Sequence, residues 1–356
     1  MIGRPSADVG KASTEPVAVA EAAPDSPFPS NPSSSSGYSP AHAACPTPCA
    51  GAVHGPHALG VGEGVGTAKM TGKAGRRSSV ATAIDQSRRT IHRIWKHPSN
   101  QGRRLRRVVF AAWFQLWTRV TRRPLRITVG DHSQMYAHLH FSATSEVVYA
   151  NPPSIEQLVW ARHLRPGDLF VDVGSSVGVY TIMAIEQGAE VIAFEPNEDA
   201  ARLFRENMAL NGYTPEFHEA AVSDRAGTMT MTFDLDVANH LLFEPDDRSS
   251  DVRSVPTVTL DEVVGDRQVA GLKLDTEGSE RIVLAGAARA LTNRQFELIQ
   301  LEWNYASMKV LGETREPLAR VLIDAGYTLM RPNRLGELVR PVESYDYGRD
   351  VFAILQ

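Results

Sequence analysis

The stretch Asp168-Leu169-Phe170-Val171-Asp172-Val173-Gly174-Ser175-Ser176-Val177-Gly178 limits the folds open to this chain more than any other. Leu169 to Val173 is a short, nearly unbroken apolar run, which reads as a strand buried on both faces. It stops at two glycines four apart, and Val179, Ile182, Met183 and Ile185 then follow at helical spacing. A strand, a tight glycine turn and a helix bring backbone N–H groups and a helix N-terminus close to a ligand, because glycine has no side chain and tolerates positive φ. The ligand expected there is nucleotide-like.

A second buried run, Glu190 to Phe194, ends in Glu195 about twenty residues past the first glycine, the position from which an acid binds ribose hydroxyls. Dinucleotides and S-adenosylmethionine both carry a ribose, so Glu195 alone does not choose between them. The turn does more. Its pattern is Asp-x-Gly-x-x-x-Gly, without the third glycine of a dinucleotide fingerprint. Asp172 just before it repels a pyrophosphate and suits the cationic amino-acid end of S-adenosylmethionine. A methyl donor is therefore the expected ligand.

From Leu169 onward apolar strands alternate with amphipathic helices, which predicts a mostly parallel sheet with helices on both faces. The expected order is a helix over Ala200–Leu210 closed by Asn211-Gly212, a third strand over Glu216–Val222, a half-exposed strand over Thr228–Phe233, and a polar loop from Asp234 to Arg253. Val255–Leu260, a strand at Leu272–Asp275, its helix over Glu277–Ala290, a strand at Phe296–Glu302 and a helix at Pro317–Ala325 follow. Tyr327–Arg331 and Val351–Leu355 read as a closing antiparallel pair.

Composition divides the rest of the chain. Residues 1–82 are rich in Ala, Gly, Pro and Ser and show no apolar periodicity, so they read as a disordered segment. Met70 opens a more basic stretch and is a candidate start of translation. Cys45 and Cys49 stand without neighbouring His, so neither a metal site nor a disulfide framework is expected. No signal-peptide core and no run of about 18 uncharged apolar residues is present, and a cytoplasmic location is the default expectation.

The formal net charge of −4 hides an asymmetry. Residues 88–126 hold twelve Lys or Arg and no acid, leaving 37 − 12 = 25 bases against 41 acids elsewhere, a balance of −16. Within this basic collar, assigned to residues 83–150, Leu105, Val108, Val109, Ala112, Trp113, Leu116, Trp117 and Val120 recur at helical spacing between Arg103–Arg107 and Arg119–Arg123. The first expectation is that this stripe packs on the domain that follows, residues 151–356. Peripheral contact with an anionic membrane is the second. Nucleic acid is not expected, since no recognised motif accompanies the charge. Short strands are expected near Leu125–Val129 and Met135–Phe141, and a helix over Ile155–Leu164.

Phe170 to Thr181, Ala193-Phe194-Glu195-Pro196-Asn197, Asn207 to Gly212, Ala220 to Asp224 and Leu272-Lys273-Leu274-Asp275-Thr276-Glu277-Gly278-Ser279-Glu280 stand in an order and spacing that resembles the FkbM family of S-adenosylmethionine-dependent methyltransferases. The resemblance spans about residues 97–356. It implies a class I methyltransferase, a Rossmann-like fold with a seven-stranded, mostly parallel sheet, and methyl transfer to an oxygen of a sugar, polyketide or similar small molecule. It also implies that Asp172, Gly174, Ser175, Ser176 and Gly178 form the donor loop, that Glu195 holds the ribose, and that Ser223 and Asp224 lie beside the adenine. The chain departs from the family at Ser176, where Asn is common.

Asp275 and Glu277 follow a core strand at the end where α/β sheets place reacting groups. Methyl transfer to a hydroxyl needs alignment and a base for the proton. Asp275 is the first candidate base and Glu277 the second. His240 on the long loop and Glu302 at the end of its strand are further candidates. Structural roles stand beside each: Glu277 as the first residue of a helix, His240 as a surface residue. Asn151-Pro152-Pro153-Ser154 lacks the aromatic residue that amino-group DNA methyltransferases stack on a flipped base, and prolines before a helix explain it. Two rival readings remain open. One is a dinucleotide-binding oxidoreductase, and the other is an inactive methyltransferase-fold module that binds a membrane or partner.

Overall fold

The computed structural model describes residues 87–97, 100–139, 142–150, 153–233, 240–242, 251–342 and 345–355. The segment 1–82 with Met70, Cys45 and Cys49, the pair Asn151-Pro152, and most of the loop from Asp234 to Arg253 lie outside the described residues.

Two helices come first, α1 (87–96) and α2 (Arg104–Thr121). The hairpin β1 (Leu125–Thr128) and β2 (Gln134–Ala137) follows, then α3 (Ser142–Tyr149) and α4 (Ile155–His163). The αβ body runs β3 (Leu169–Val173), α5 (Val179–Glu186), β4 (Glu190–Phe194), α6 (Glu198–Asn211), β5 (Glu216–His218), β6 (Ala221–Val222), β7 (Gly227–Thr232), β8 (Leu241–Leu242) and β9 (Val252–Val258). It continues with α7 (Leu260–Val264), β10 (Val269–Leu274), α8 (Glu280–Ala285), α9 (Ala288–Thr292), β11 (Phe296–Leu301), α10 (Ala306–Val310) and α11 (Glu316–Asp324). It ends with β12 (Tyr327–Pro332), β13 (Leu338–Pro341) and β14 (Val351–Leu355).

Among the described residues the main sheet has eight strands in the order β13-β12-β14-β11-β10-β3-β4-β5. The five from β11 to β5 are parallel, and β14 runs antiparallel to both β11 and β12. Seven of the eight are the expected strands, and β13 is the one added. β3 is where the chain turns back: β4 and β5 are laid down on one side of it, β10 and β11 on the other. The loops leaving β3 and β10 therefore part over adjacent strands and open a crevice at their carboxyl ends.

Both faces of this sheet are covered, as the unbroken apolar strands require. Val171, Val173, Ile192, Leu272, Leu274 and Ile299 point into one core with α7, α8 and α11. Phe170, Val191, Ala193, Leu298 and Phe352 point into the other, which receives Trp160 of α4, Ile182 of α5 and Phe114 of α2. Helix ends follow local chemistry. Ser154 and Gln157 cap α4 reciprocally, Asn197 accepts from Asp199 and Ala200 at the start of α6, and Gly212, at φ 71°, closes α6.

Three expectations change. Glu216–Val222 is not one strand: β5 edges the main sheet, while β6 pairs with β9 in a second sheet, β6-β9-β7-β8. Glu277–Ala290 is not one helix, since Glu277 sits in a turn at φ 51° and α8 and α9 are separated at Gly286-Ala287. Of the expected stripe on α2, Val108 packs against the second core but most of the rest faces outward. Ala111, Phe114 and Thr118 are the helix's buried residues, whereas Leu105, Val109, Trp113, Leu116, Trp117 and Val120 of the stripe are exposed. The two faces are both apolar, and it is Phe114 that enters the second core.

Candidate active site

The glycine turn after β3 is shaped by what lies against it. Gly174 has φ 75°, and a Cβ placed there would stand 2.0 Å from the backbone carbonyl of Asp275, so no larger residue fits between β3 and β10. Gly178, at φ 91°, caps α5. Between them Ser176 adopts φ 50°, and its N–H donates to Glu195 Oε2 at 2.8 Å; the other oxygen of Glu195 accepts from Asn197 N at 2.9 Å. Glu195 thus ties the loop after β3 to the loop after β4, a second task beside the one read from its position. Burial pushes its carboxyl up to about 7, against the pull of those two N–H donors.

Asp172 lies beneath the turn. It is fully buried, accepts from Thr181 Oγ1 at 2.8 Å and faces Lys273 Nζ at 3.3 Å. The strand register puts Asp172 and Lys273 directly opposite each other. Lys273 also donates to the carbonyl of Gly174 at 3.1 Å and stands 3.3 Å from Asp275. Burial alone lowers a lysine's pKa, but here Asp275 and then Asp172 outweigh it and hold the amine above its ordinary value. One buried cation therefore fixes the turn, the strand acid below it and the acid above it.

Asp275, Glu277 and Glu302 converge from the loops after β10 and β11, each offering a carboxylate oxygen within 4.8 Å of the others, a spacing that could also hold a cation. Like charges at that distance in a half-buried cleft do not all ionise. Burial, then the charges of Asp275 and Glu280, push Glu277 up to about 7. Burial, then Asp275, Glu277 and Glu280, push Glu302 up to about 10. Glu302 Oε1 accepts from Asn304 Nδ2, and among the described residues no hydrogen-bond partner reaches Oε2.

The turn carrying Glu277 is held from behind by Glu280 and Arg315, both buried. Glu280 Oε1 accepts from Gly278 N at 3.1 Å, and Oε2 receives Arg315 Nη1 at 2.7 Å; Arg315 also donates to the Asn304 carbonyl at 3.1 Å. Lys273, Glu280, Asn304 and Arg315 were not among the expected site residues. Lys273 left a trace, a charge between Leu272 and Leu274 in an otherwise apolar strand. Arg315, some forty residues along the chain, left none.

A cavity of about 320 Å³ opens over these loops. Gly174, Ser176, Glu195, His240, Asp275, Glu277 and Glu302 line it, with Phe194, Ala220, Val222, Met231 and Leu241 as apolar wall. Ser175 and Gly178 are outside this lining. Ser223 is buried and Asp224 exposed, and it is Ala220–Val222 just before them that reach the cavity. Among the described residues, four acidic side chains and no Lys or Arg line it. A second cavity of about 330 Å³ shares Gly174, Ser176 and Asp275 with the first and adds Arg93, His97, Glu156, Ser175, Tyr180 and Lys273.

Residues 172–328 match the family model described as Methyltransferase FkbM domain. Over 169 residues the chain is 31% identical to 31-O-demethyl-FK506 methyltransferase FkbM of Streptomyces tacrolimicus, covering 37% of this chain and 65% of that one. A ribosomal protein L11 methyltransferase of Streptococcus equi subsp. zooepidemicus is 39% identical over 79 residues, 22% of this chain and 25% of its own. This chain therefore spans less than two thirds of either relative's length. Among solved structures, a TehB-like SAM-dependent methyltransferase of Corynebacterium glutamicum aligns over 60% of this chain and 93% of its own, at 11% identity and a TM-score of 0.35.

Proposed function

For a chain whose residues 172–328 match the FkbM methyltransferase domain model, we propose S-adenosylmethionine-dependent transfer of a methyl group to a hydroxyl oxygen of a small molecule, of the sugar or polyketide class. The observation that carries this reading is the lining of the main cavity: four carboxyl groups and, among the described residues, no Lys or Arg around a glycine turn and an acid at the ribose position. Carboxyl groups, ionised or protonated, offer a pyrophosphate no counter-charge, which speaks against the dinucleotide reading. A sulfonium is attracted.

The residues fit the donor's parts. Glu195 keeps lone pairs for ribose hydroxyls after accepting its two N–H donors, and Phe194, Ala220, Val222 and Leu241 give an apolar wall for a base. The second cavity carries both signs of charge, Arg93 and Lys273 beside Asp275 and Glu156, as an amino-acid end needs. When bound, the donor supplies an electrophilic methyl on a good leaving group. What remains for the protein is alignment and a place for the acceptor's proton. Glu277, pushed up to about 7, is better matched to that proton near neutral pH than Asp275, which Lys273 holds as an ion pair. Asp275 is then the residue that orients. The 31-O-demethyl compound in the Streptomyces relative's name supports an oxygen acceptor.

Calorimetry with S-adenosylhomocysteine and with NAD tests the donor. Binding of the former and none of the latter is expected; the reverse would overturn the proposal. Incubation of cell extract with methyl-labelled donor then identifies the acceptor by the compound that gains label, and label found only on nitrogen or carbon overturns the oxygen assignment.

A further inference from the structure

The structure leaves one strongly marked surface without a task in the reaction, the outer face of α2. We infer that α2 docks this protein onto an anionic lipid bilayer, its apolar stripe entering the headgroup layer and its arginines facing the lipid charges. The stripe is formed by Leu105, Val109, Trp113, Leu116, Trp117 and Val120, four of which are 60% or more exposed, Leu105 69%, Val109 60%, Leu116 63% and Val120 73%. Singly exposed apolar residues are ordinary, but six in one line along an 18-residue helix are a patch. Phe110, Trp113 and Trp117 run as neighbours with ring centroids 5.9 and 5.8 Å apart. Tryptophan, with an apolar body and a polar tip, suits the boundary between headgroups and acyl chains.

The helix is held in place from its other side, so the stripe is free of structural duty. Phe114 is buried, Arg107 donates to the Val148 carbonyl at 3.2 Å, and Gln115 donates to the Tyr149 hydroxyl at 3.0 Å. The rim of the stripe is cationic: Arg103, Arg106, Arg119, Arg122 and Arg123 are exposed, and no acid occurs from Gln86 to Gly130. Helix α1 extends the surface with exposed Ile91 and Trp95, the latter beneath the Arg104 guanidinium at 5.8 Å. No helix among the described residues is long and apolar enough to cross a membrane. The geometry is that of a helix lying in the plane of the surface.

Charge selects this occupant over two others. A second copy would set five exposed arginines of the rim against five. Residues 1–86 carry six acids and six bases and so offer this face no net complement. An anionic lipid surface answers both the stripe and the rim, and the acidic remainder of the chain, repelled by the same surface, turns the basic face toward it.

Co-sedimentation of the full chain with phosphatidylcholine vesicles, with and without about 30 mol% phosphatidylserine, tests the inference. Binding to the anionic vesicles only is expected, with a blue shift in tryptophan fluorescence and loss at about 0.5 M salt. Arg106→Gln with Arg119→Gln and Arg123→Gln should weaken binding at least tenfold, and so should Trp113→Ser with Trp117→Ser. Leu116→Gln with Val120→Gln, at the most exposed positions, makes the same test should the tryptophan variant fail to fold; an unchanged melting temperature certifies each variant. Absence of binding to anionic vesicles, equal binding by folded variants, tighter binding to a DNA duplex, or self-association abolished by the same substitutions would each overturn the inference. None of these outcomes depends on what the cavity binds.

Discussion

At the scale of single residues, the site depends on charges that the fold keeps close together. Glu277→Gln should lower kcat by roughly 10²- to 10⁴-fold with donor affinity unchanged, and should remove the limb of the pH–rate profile that rises through about 7 in the parent protein. A profile still rising through 7 in the variant would move the base elsewhere. Asp275→Asn should act more on KM, since this acid is already engaged by Lys273. Arg315→Met leaves Glu280 buried and unpaired and should cost about 3–5 kcal/mol in urea unfolding; adding Glu280→Gln should recover much of it, because a broken ion pair costs more than an absent one. A cost below about 1 kcal/mol for the single variant would show that the pair is not what holds the turn. That Glu195 stands at the mouth of the cavity after β4 was legible from its spacing. The linking role it plays through Ser176 and Asn197 was not, because a side-chain bond to a loop nineteen residues back depends on how two loops stack.

At the scale of elements, the turn between β3 and α5 was readable because its demands are local: an apolar strand, a positive φ, a helix. Gly174→Ala should abolish donor binding in calorimetry and lower the melting temperature, since it combines left-handed strain of about 1–2 kcal/mol with a 2.0 Å approach to a backbone carbonyl that cannot swing aside. A Gly174→Ala variant that binds donor normally would mean that β10 can shift, and that close packing against Asp275 is not what demands glycine. Other elements were read incompletely for an equally physical reason. Glu216–Val222 has the composition of one strand, yet the chain leaves the main sheet after His218 and pairs Ala221-Val222 with β9, a choice of partner that alternation does not encode. Helix α2 has two apolar faces, and periodicity of 3.6 reports both without saying which is inside; Phe114 went inward and Trp113 outward.

At the scale of the whole molecule, acids with raised pKa values collect toward the carboxyl end of one sheet: Glu195, Glu277 and Asp350 pushed up to about 7 and Glu302 to about 10, burial being the largest cause in each. Each binds a proton more readily folded than unfolded, so the stability it contributes is present below the unfolded carboxyl range and is lost as pH rises through the folded value. The ligand-free protein should therefore melt higher at pH 5.5 to 6 than at pH 8, and Glu302→Gln should flatten that slope; a melting temperature that climbs from pH 6 to 8 would contradict it. The linear pattern by itself determined the αβ alternation, the glycine turn after β3, the acid after β4 and the split between a basic collar and an acidic body, because each is a matter of composition or of contacts within about twenty residues. Only the tertiary structure decided that Asp172 lies under the turn with Lys273, that Glu302 meets Asp275 and Glu277, that Arg315 braces them, and that the aromatic face of α2 looks outward. Those are contacts between strands and loops far apart in sequence, and the packing of the sheet selects them.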